Sequence, residues 1–448
     1  MNQRLKLSLI LTLLVMLTLT FSACDSGETD EAIRRDEPIT KEVGEVNEIA
    51  EILEKSNEDD EIIIVLEEGN YDQEIQITND YDFEKITLIA EEEHEAEINA
   101  PIYIYNSEKI VIKDMKIAES EGNAINLENS REIIIKNNKI KNNDYFGVLV
   151  NDESHAKIVD NTINNNGLVE DYPGVKTENS SNVLIEDNKI TNHNNDGVQI
   201  YEESSSKIIN NEIIENEANG VRINAESHVD LEGNSIKENQ IHGILSSNAS
   251  IIVKENVINN NNQDGIIIEP ELTPFDTWDW SEDNDVIIED NIIKYNNITG
   301  IVNWAGNGSV IQNNDIKGRI GISMIDYLKP INISVENNNL NNMLPFFLQD
   351  TKENSFNINL LNNYVETTEF NQNELDTYLQ DGDVRYNDEE PNYIHLFYLA
   401  DPEHKNENLV NEIFENNDNQ FIPKANTYNI NLIDYEEDHT GKIIGRVN

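Results

Sequence analysis

Cysteine is almost absent from this 448-residue chain. Cys24 stands alone, which excludes an intrachain disulfide framework in any redox compartment. Basic residues are scarce as well: 31 Lys and Arg face 87 Asp and Glu, for a formal net charge of −56. A chain so poor in positive charge lacks the basic footprint of nucleic-acid binding. The acidic excess bears on solubility, salt response and divalent cations more than on fold, and acids coating a solvated surface in a saline habitat account for it as well as a dedicated acidic function does. Long apolar runs are missing with one exception. Arg4 and Lys6 precede an apolar stretch from Leu7 to Phe21 that ends in Ser22-Ala23-Cys24, the layout of a secretory signal. No other run is long enough to span a bilayer. Potential soft-metal ligands do not cluster. His155, His193, His228 and His242 are scattered over loop or turn positions, with only His193 and His242 in equivalent loops before a Gly, which argues against a copper site.

What is abundant is repetition. Asn-x-Ile recurs at Asn138, Asn161, Asn188, Asn211, Asn234 and Asn256, and Gly followed by an apolar residue recurs at Gly147, Gly174, Gly197, Gly220, Gly243 and Gly265, most often at a step of 23 residues. A strand-rich unit this short cannot bury its own apolar face and must stack on copies of itself. Period-2 alternation in Val183-Leu184-Ile185-Glu186 and Gly197-Val198-Gln199-Ile200 marks short strands bounded by turn residues. The expected fold is all-β, a parallel β-helix solenoid of about eleven or twelve coils, about 55 Å long at ~4.8 Å per coil. The Asn before x-Ile is expected to take the left-handed conformation at a sharp turn and to stack into a hydrogen-bonded ladder. The Gly before Val or Ile is expected to allow a tight approach to the next strand.

With these motifs the chain resembles the right-handed parallel β-helix proteins of the pectate-lyase-like superfamily, including bacterial repeat proteins of NosD type, over roughly residues 60–365. Val46, Ile49, Ala50, Ile52 and Leu53 predict a short amphipathic helix, followed by an apolar strand at Ile62–Leu66 and Gly69-Asn70-Tyr71. This order is similar to the start of many pectin-lyase-like proteins, in which a helix covers the open end of the solenoid. Cys24 resembles the lipidated cysteine of bacterial lipoproteins, although Phe21 departs from the usual Leu. The expected layout is a signal peptide at 1–23, a lipidated acidic tether at 24–45, the β-helix with its N-terminal cap at 46–365, and a C-terminal cap or small appended domain at 366–448. It implies an exported protein held to a membrane through Cys24.

Candidate chemistry lies along the strand after each Gly, where the second and fourth residues point outward. The first outward column reads Asn126, Leu149, Lys176, Gln199, Arg222, Leu245, Ile267, Val302 and Ser323. The second reads Glu128, Asn151, Glu178, Tyr201, Asn224, Ser247, Glu269, Trp304 and Ile325. Lys176, Gln199 and Arg222, beside Glu178, Tyr201 and Asn224, form a polar island, and Leu245, Ile267, Val302 and Trp304 form an apolar strip that needs a cover or a partner. Two insertions border this face. One adds four residues before Lys176, and the other adds about twelve after Gly265, including Phe275, Asp276, Trp278, Asp279 and Trp280. Trp278 and Trp280 suit either stacking on a sugar or shielding of the apolar strip.

By resemblance to lyases that use a basic residue on this face, Lys176 or Arg222 is the expected base of a polyuronate lyase. Gln199, Tyr201, Asn224, Trp278, Trp280 and Trp304 are the expected substrate contacts, and Glu178, Asp171 and Asp196 the expected ligands for Ca²⁺ or substrate. A cross-coil ladder of Lys176 and Arg222 with Glu178, stabilising the stack without catalysis, is the structural alternative. Asp196 and Asp264, each before a Gly, stand three coils apart, about 14 Å at the strand spacing, a poor fit to the paired carboxylates of a hydrolase. The expected partner is an extracellular polysaccharide, engaged by an enzyme or by a non-catalytic surface binder or scaffold.

Overall fold

The computed structural model describes residues 38–366 except for short breaks at 57–59, 79–83, 273–277, 280–283, 305–307, 327–330, 351–355 and 362, together with strands Tyr393–Ala400, Ile422–Pro423, Ile430–Asn431 and Lys442–Val447. Cys24 and the apolar N-terminal run lie outside the described residues. Among those described, no helix is long and apolar enough to cross a membrane.

Each regular coil contributes three short strands, as in Val221–Asn224, His228–Glu232 and Ser235–Lys237. They build three faces, here called first, second and third. Every strand pairs in parallel with its equivalent one coil away: Val221 with Ile244, His228 with Ser250, Ser235 with Val257. The second face is a continuous sheet of 14 strands, and the solenoid runs for about twelve turns. One residue of each alternating pair enters a core of stacked Ile, Val and Leu. Ile190, Ile213, Ile236, Ile258 and Ile293 form one such column, each fully buried. Burial on this scale sets the register, because a slip by one residue would turn every core side chain to solvent.

The Asn ladder is continuous from Asn138 to Asn363. Asn211 is representative. Its backbone N–H donates to Asn234 Oδ1 (2.8 Å), and its side-chain amide donates to the Ile185 and Ile209 carbonyls and to Asn234 Oδ1 (2.8, 2.9 and 3.0 Å). The expected ladder is there, but the left-handed residue is one place earlier. Positive φ falls at Asp160, Asp187, Asn210 and Gly233, immediately before the ladder Asn. The turn needs both features, and dividing them between neighbours leaves the ladder Asn free to point inward. At Gly220 the need is space: an added Cβ would stand 2.5 Å from Ile236 Cγ2 and 2.7 Å from the Gly243 carbonyl oxygen.

At the N-terminal end the helix Val46–Lys55 buries Ile49 and Leu53 in the core. Structure begins earlier than the expected tether boundary. Ile39–Val43 is a strand paired in parallel with Glu61–Leu66, covering what would otherwise be an exposed sheet edge. At the other end Tyr393–Ala400 pairs in parallel with Asn339–Asp350, and Lys442–Val447 pairs with it antiparallel. Ile430–Asn431 is a further short strand, paired antiparallel with Lys442–Val447. The sequence pattern also predicts short helices at 374–379 and 408–414, which lie outside the described residues.

Candidate functional site on the first face

The strand pairings reproduce the first outward column residue by residue, from Asn126 against Leu149 through Lys176, Gln199, Arg222, Leu245 and Ile267 to Val302 against Ser323. Tyr103 extends it one coil further toward the N-terminus. These side chains point away from the core, yet Gln199 is only 6% exposed, Ile267 7% and Val302 6%. Neighbouring turns therefore shelter parts of the column, and within the apolar strip Ile267 and Val302 are covered while Leu245 and Trp304 are half-buried. One wall is made by the residues just before each Gly. Their side chains lean on the floor: Lys176 Nζ is 5.7 Å from the centre of the Phe146 ring, and Asp196 Oδ2 accepts a 2.7 Å hydrogen bond from Gln199 Nε2.

Cations and rings alternate at the polar island. Lys176 Nζ lies 5.4 Å from the Tyr201 ring centre and Arg222 Cζ lies 5.9 Å from the same centre, while Phe146 packs edge-on against Tyr172 at 4.5 Å. Lys176 is also paired with Glu178 at 2.5 Å. Of the cross-coil ladder envisaged for Lys176, Arg222 and Glu178, only the Lys176–Glu178 pair is made among the described residues, and it lies within one coil. Arg222 makes no ion pair among the described residues, and its buried Nε has no hydrogen-bond partner there; nor do the buried Asn224 Oδ1 and Trp304 Nε1. A half-buried guanidinium with an unsatisfied donor is costly to leave unmatched.

The three carboxylates considered as metal ligands are not brought together. Glu178 is engaged by Lys176. Asp171 is exposed in the insertion, where its carbonyl accepts from Asn195 Nδ2. Asp196 is fully buried, its Oδ1 taking the backbone and side-chain N–H groups of Asn219 at 2.7 and 2.8 Å, and burial pushes its carboxyl pKa up despite these bonds and the nearby Arg222. Among the described residues no group of three His, Cys, Asp or Glu is placed to hold a metal ion. Of the aromatic insertion, Trp278 belongs to a two-residue strand paired antiparallel with Glu271–Leu272; its side chain, and Trp280 altogether, lie outside the described residues.

The histidines depart from the sequence reading. His193 and His242 occupy different columns. His193 replaces an Asn in a second inner ladder: its Nδ1 accepts from Asn166 N (3.1 Å) and its Nε2 donates to the Ile163 carbonyl (3.1 Å), with full burial lowering its pKa to about 4. The step from Asn166 to Asn216 through a His hid this ladder from inspection. His242 stands in the groove wall, in the column Asp196, Asn219, His242, Asp264 and Thr299. Phe146 and Tyr172 were also missed as site residues, although Tyr172 lies within the insertion before Lys176 and Phe146 directly before Gly147.

A family model described as the right-handed beta helix region matches residues 71–171 and 168–273. No curated protein matches the chain. Among solved structures, the periplasmic alginate epimerase AlgG is 15% identical over 64% of this chain and 84% of that one, with a TM-score of 0.41. Pectate lyase Pel9A is 11% identical over 67% and 79%, with a TM-score of 0.38. The A-module of the Azotobacter vinelandii mannuronan C-5 epimerase AlgE6 is 13% identical over 69% and 86%, with a TM-score of 0.39. Likeness at these identities concerns fold alone. With its stacked parallel strands and its unbroken Asn ladder the chain is a parallel β-helix, and residues 71–273 are similar to the right-handed beta helix region.

Proposed function

We propose that this protein binds an acidic polysaccharide, a polyuronate, along the first face, with Arg222 receiving a sugar carboxylate. The observation that carries the reading is Arg222 on the first face, whose buried Nε has no hydrogen-bond partner among the described residues, in a chain whose net charge is −56. A carboxylate is the planar acceptor that its donor fork fits. The groove supports a long, repetitive ligand: amides and rings (Tyr103, Asn126, Gln199, Tyr201, Asn224) recur at the coil spacing of about 4.8 Å, suited to sugar hydroxyls and C–H faces. Arg222 supplies the neutralising charge for which Ca²⁺ is the alternative. The secretory layout ending at Cys24 makes this an exported, lipid-anchored envelope protein, facing extracellular glycan.

Lys176 is assigned a structural role in this reading, since Glu178 and two rings hold it in place. Arg222 keeps its proton throughout the physiological range and so binds a carboxylate rather than abstracting a proton. The test is calorimetric titration of the purified protein with oligouronates and neutral glucans, in Ca²⁺ and in chelator. Uronate binding that survives chelation and weakens ~10-fold or more in Arg222→Ala is expected for a charged hydrogen-bonded contact. Equal affinity for neutral glucans, or an Arg222→Ala protein that binds as well as the parent, would rule the reading out.

A further inference from the structure

We propose that the second face is a docking surface for a second copy of this chain, and that two copies pack there with their solenoid axes antiparallel. The proposal is independent of the glycan reading, because the first face is another side of the coil and stays open.

The second face is a sheet of 14 strands. Its central outward column carries Val111, Ile134, Lys157 and Leu184 on four successive coils, then Lys207, Asp230, Ile252 and Ile287 on the next four. The apolar members are half-buried, apart from Ile252, which is 38% exposed. An apolar sheet face left to water marks an interaction surface.

The two halves of the column complement each other. A two-fold axis running along the strand direction, between the strands of Leu184 and Lys207, lays each half on the other half of its copy. It sets Lys157 against the partner's Asp230, Ile134 against the partner's Ile252 and Val111 against the partner's Ile287, and each contact is made twice. In the flanking column the same axis sets Lys113 against the partner's Glu289. Lys157 makes no ion pair among the described residues, unlike Lys136 and Lys207, which Asp160 and Asp230 hold at 3.3 and 3.5 Å. One like-charge meeting, Lys136 with the partner's Lys254, is tempered because each is already paired in its own chain, with Asp160 and with Glu289 at 3.6 Å. Moving the axis by half a coil opposes Lys157 to Lys207 in one direction and Lys207 to itself in the other. An axis along the solenoid opposes every residue of the column to its own copy, Lys157 included. Like charges brought face to face disfavour both alternatives.

Shape and area agree with this pairing. A shallow cavity of about 650 Å³ lies over Val111, Ile134 and Leu184, between Lys85, Lys109 and Lys157, where the partner's Ile252 and Ile287 land. The ten strands from Lys85–Ala90 to Ser309–Gln312, at ~4.8 Å spacing and about 16 Å of strand length, span about 770 Å² per copy. A stable interface buries roughly 800 Å² per partner. The net charge of −56 on each copy opposes association at low salt. At about 0.5 M salt the Debye length falls to about 4 Å, which screens that long-range repulsion and leaves the contacts in place.

The experiment measures the mass of the full-length protein by sedimentation equilibrium at about 0.5 M salt, in a density-matched mild detergent that occupies the apolar N-terminal run. The parent is expected to be a dimer. Ile252→Asp is expected to weaken it ~100-fold, since an unpaired charge enters the interface twice. Lys157→Asp and Asp230→Lys are each expected to weaken it by ~10-fold or more, and an equimolar mixture of the two to form a heterodimer within ~3-fold of parental affinity. Lys139→Asp, exposed on the third face, is the control and should leave association unchanged. Circular dichroism checks that each variant is folded. A parent that stays monomeric at high micromolar concentration, an undiminished dimer in Ile252→Asp, a mixture that fails to recover association, or an equal loss in Lys139→Asp overturns the proposal.

Discussion

The third-face corner and the first face are built from the same repeat and treat polar residues in opposite ways. At the corner, one residue type recurs coil after coil, and each Asn donates to the Asn of the coil ahead and to a carbonyl of the coil behind while its Oδ1 accepts from the Asn of the coil behind. On the first face the stacked column changes identity at almost every coil, and among the described residues Arg222 Nε, Asn224 Oδ1 and Trp304 Nε1 have no partners. Positions that repeat are saturated and hold the stack; positions that vary are unsaturated and available.

The largest effect expected from breaking this contrast is at Gly220. An alanine there puts a methyl group against Ile236 and the Gly243 carbonyl, and chemical denaturation should show a loss of about 3 kcal/mol or more. Asn211→Ala should follow closely, at about 3 kcal/mol, because it strands the buried Ile185 carbonyl and the Asn188 N–H as well as removing the side-chain ladder contacts.

His193 sharpens the comparison through pH. Its folded-state pKa, lowered from 6.5 to about 4 by burial, means that the unfolded chain takes up a proton below pH 6.5 that the folded chain refuses. Its effect on stability is nil above that pH and becomes a loss, up to about 3 kcal/mol, as pH falls through about 4. His193→Asn, matching Asn166 and Asn216 in the same ladder, should unfold at nearly the parental midpoint at neutral pH and at a progressively higher one on acidification. A constant difference across pH would contradict the assignment.

On the first face the order of effects reverses. Arg222→Ala should change stability by less than about 1 kcal/mol, since no ion pair is lost, while weakening uronate binding as described above. Lys176→Gln marks the small end. Its pair with Glu178 is partly exposed, and a loss of about 1 kcal/mol or less is expected in a melting experiment.

Much of this was legible in the linear chain. The Asn-x-Ile and Gly-apolar spacings identify the coil, and alternation within each strand identifies which residues stack on which; the column from Asn126 to Ser323 is paired as read. The physical reason is that a parallel stack with an apolar core permits one register, so periodicity alone specifies it. Partner choice between columns was not legible. Nothing in the sequence told that Asp196 is buried against Asn219 and Gln199, that Lys176 is spent on Glu178 while Arg222 is not, that Ile267 and Val302 are covered, or that His193 completes a ladder whereas His242 faces Asp264 in the groove wall. Those outcomes depend on lateral distances of a few ångströms between turns whose lengths vary from coil to coil. Local pattern determined the solenoid, and only the tertiary structure decided which of its polar groups are satisfied and which are left to act.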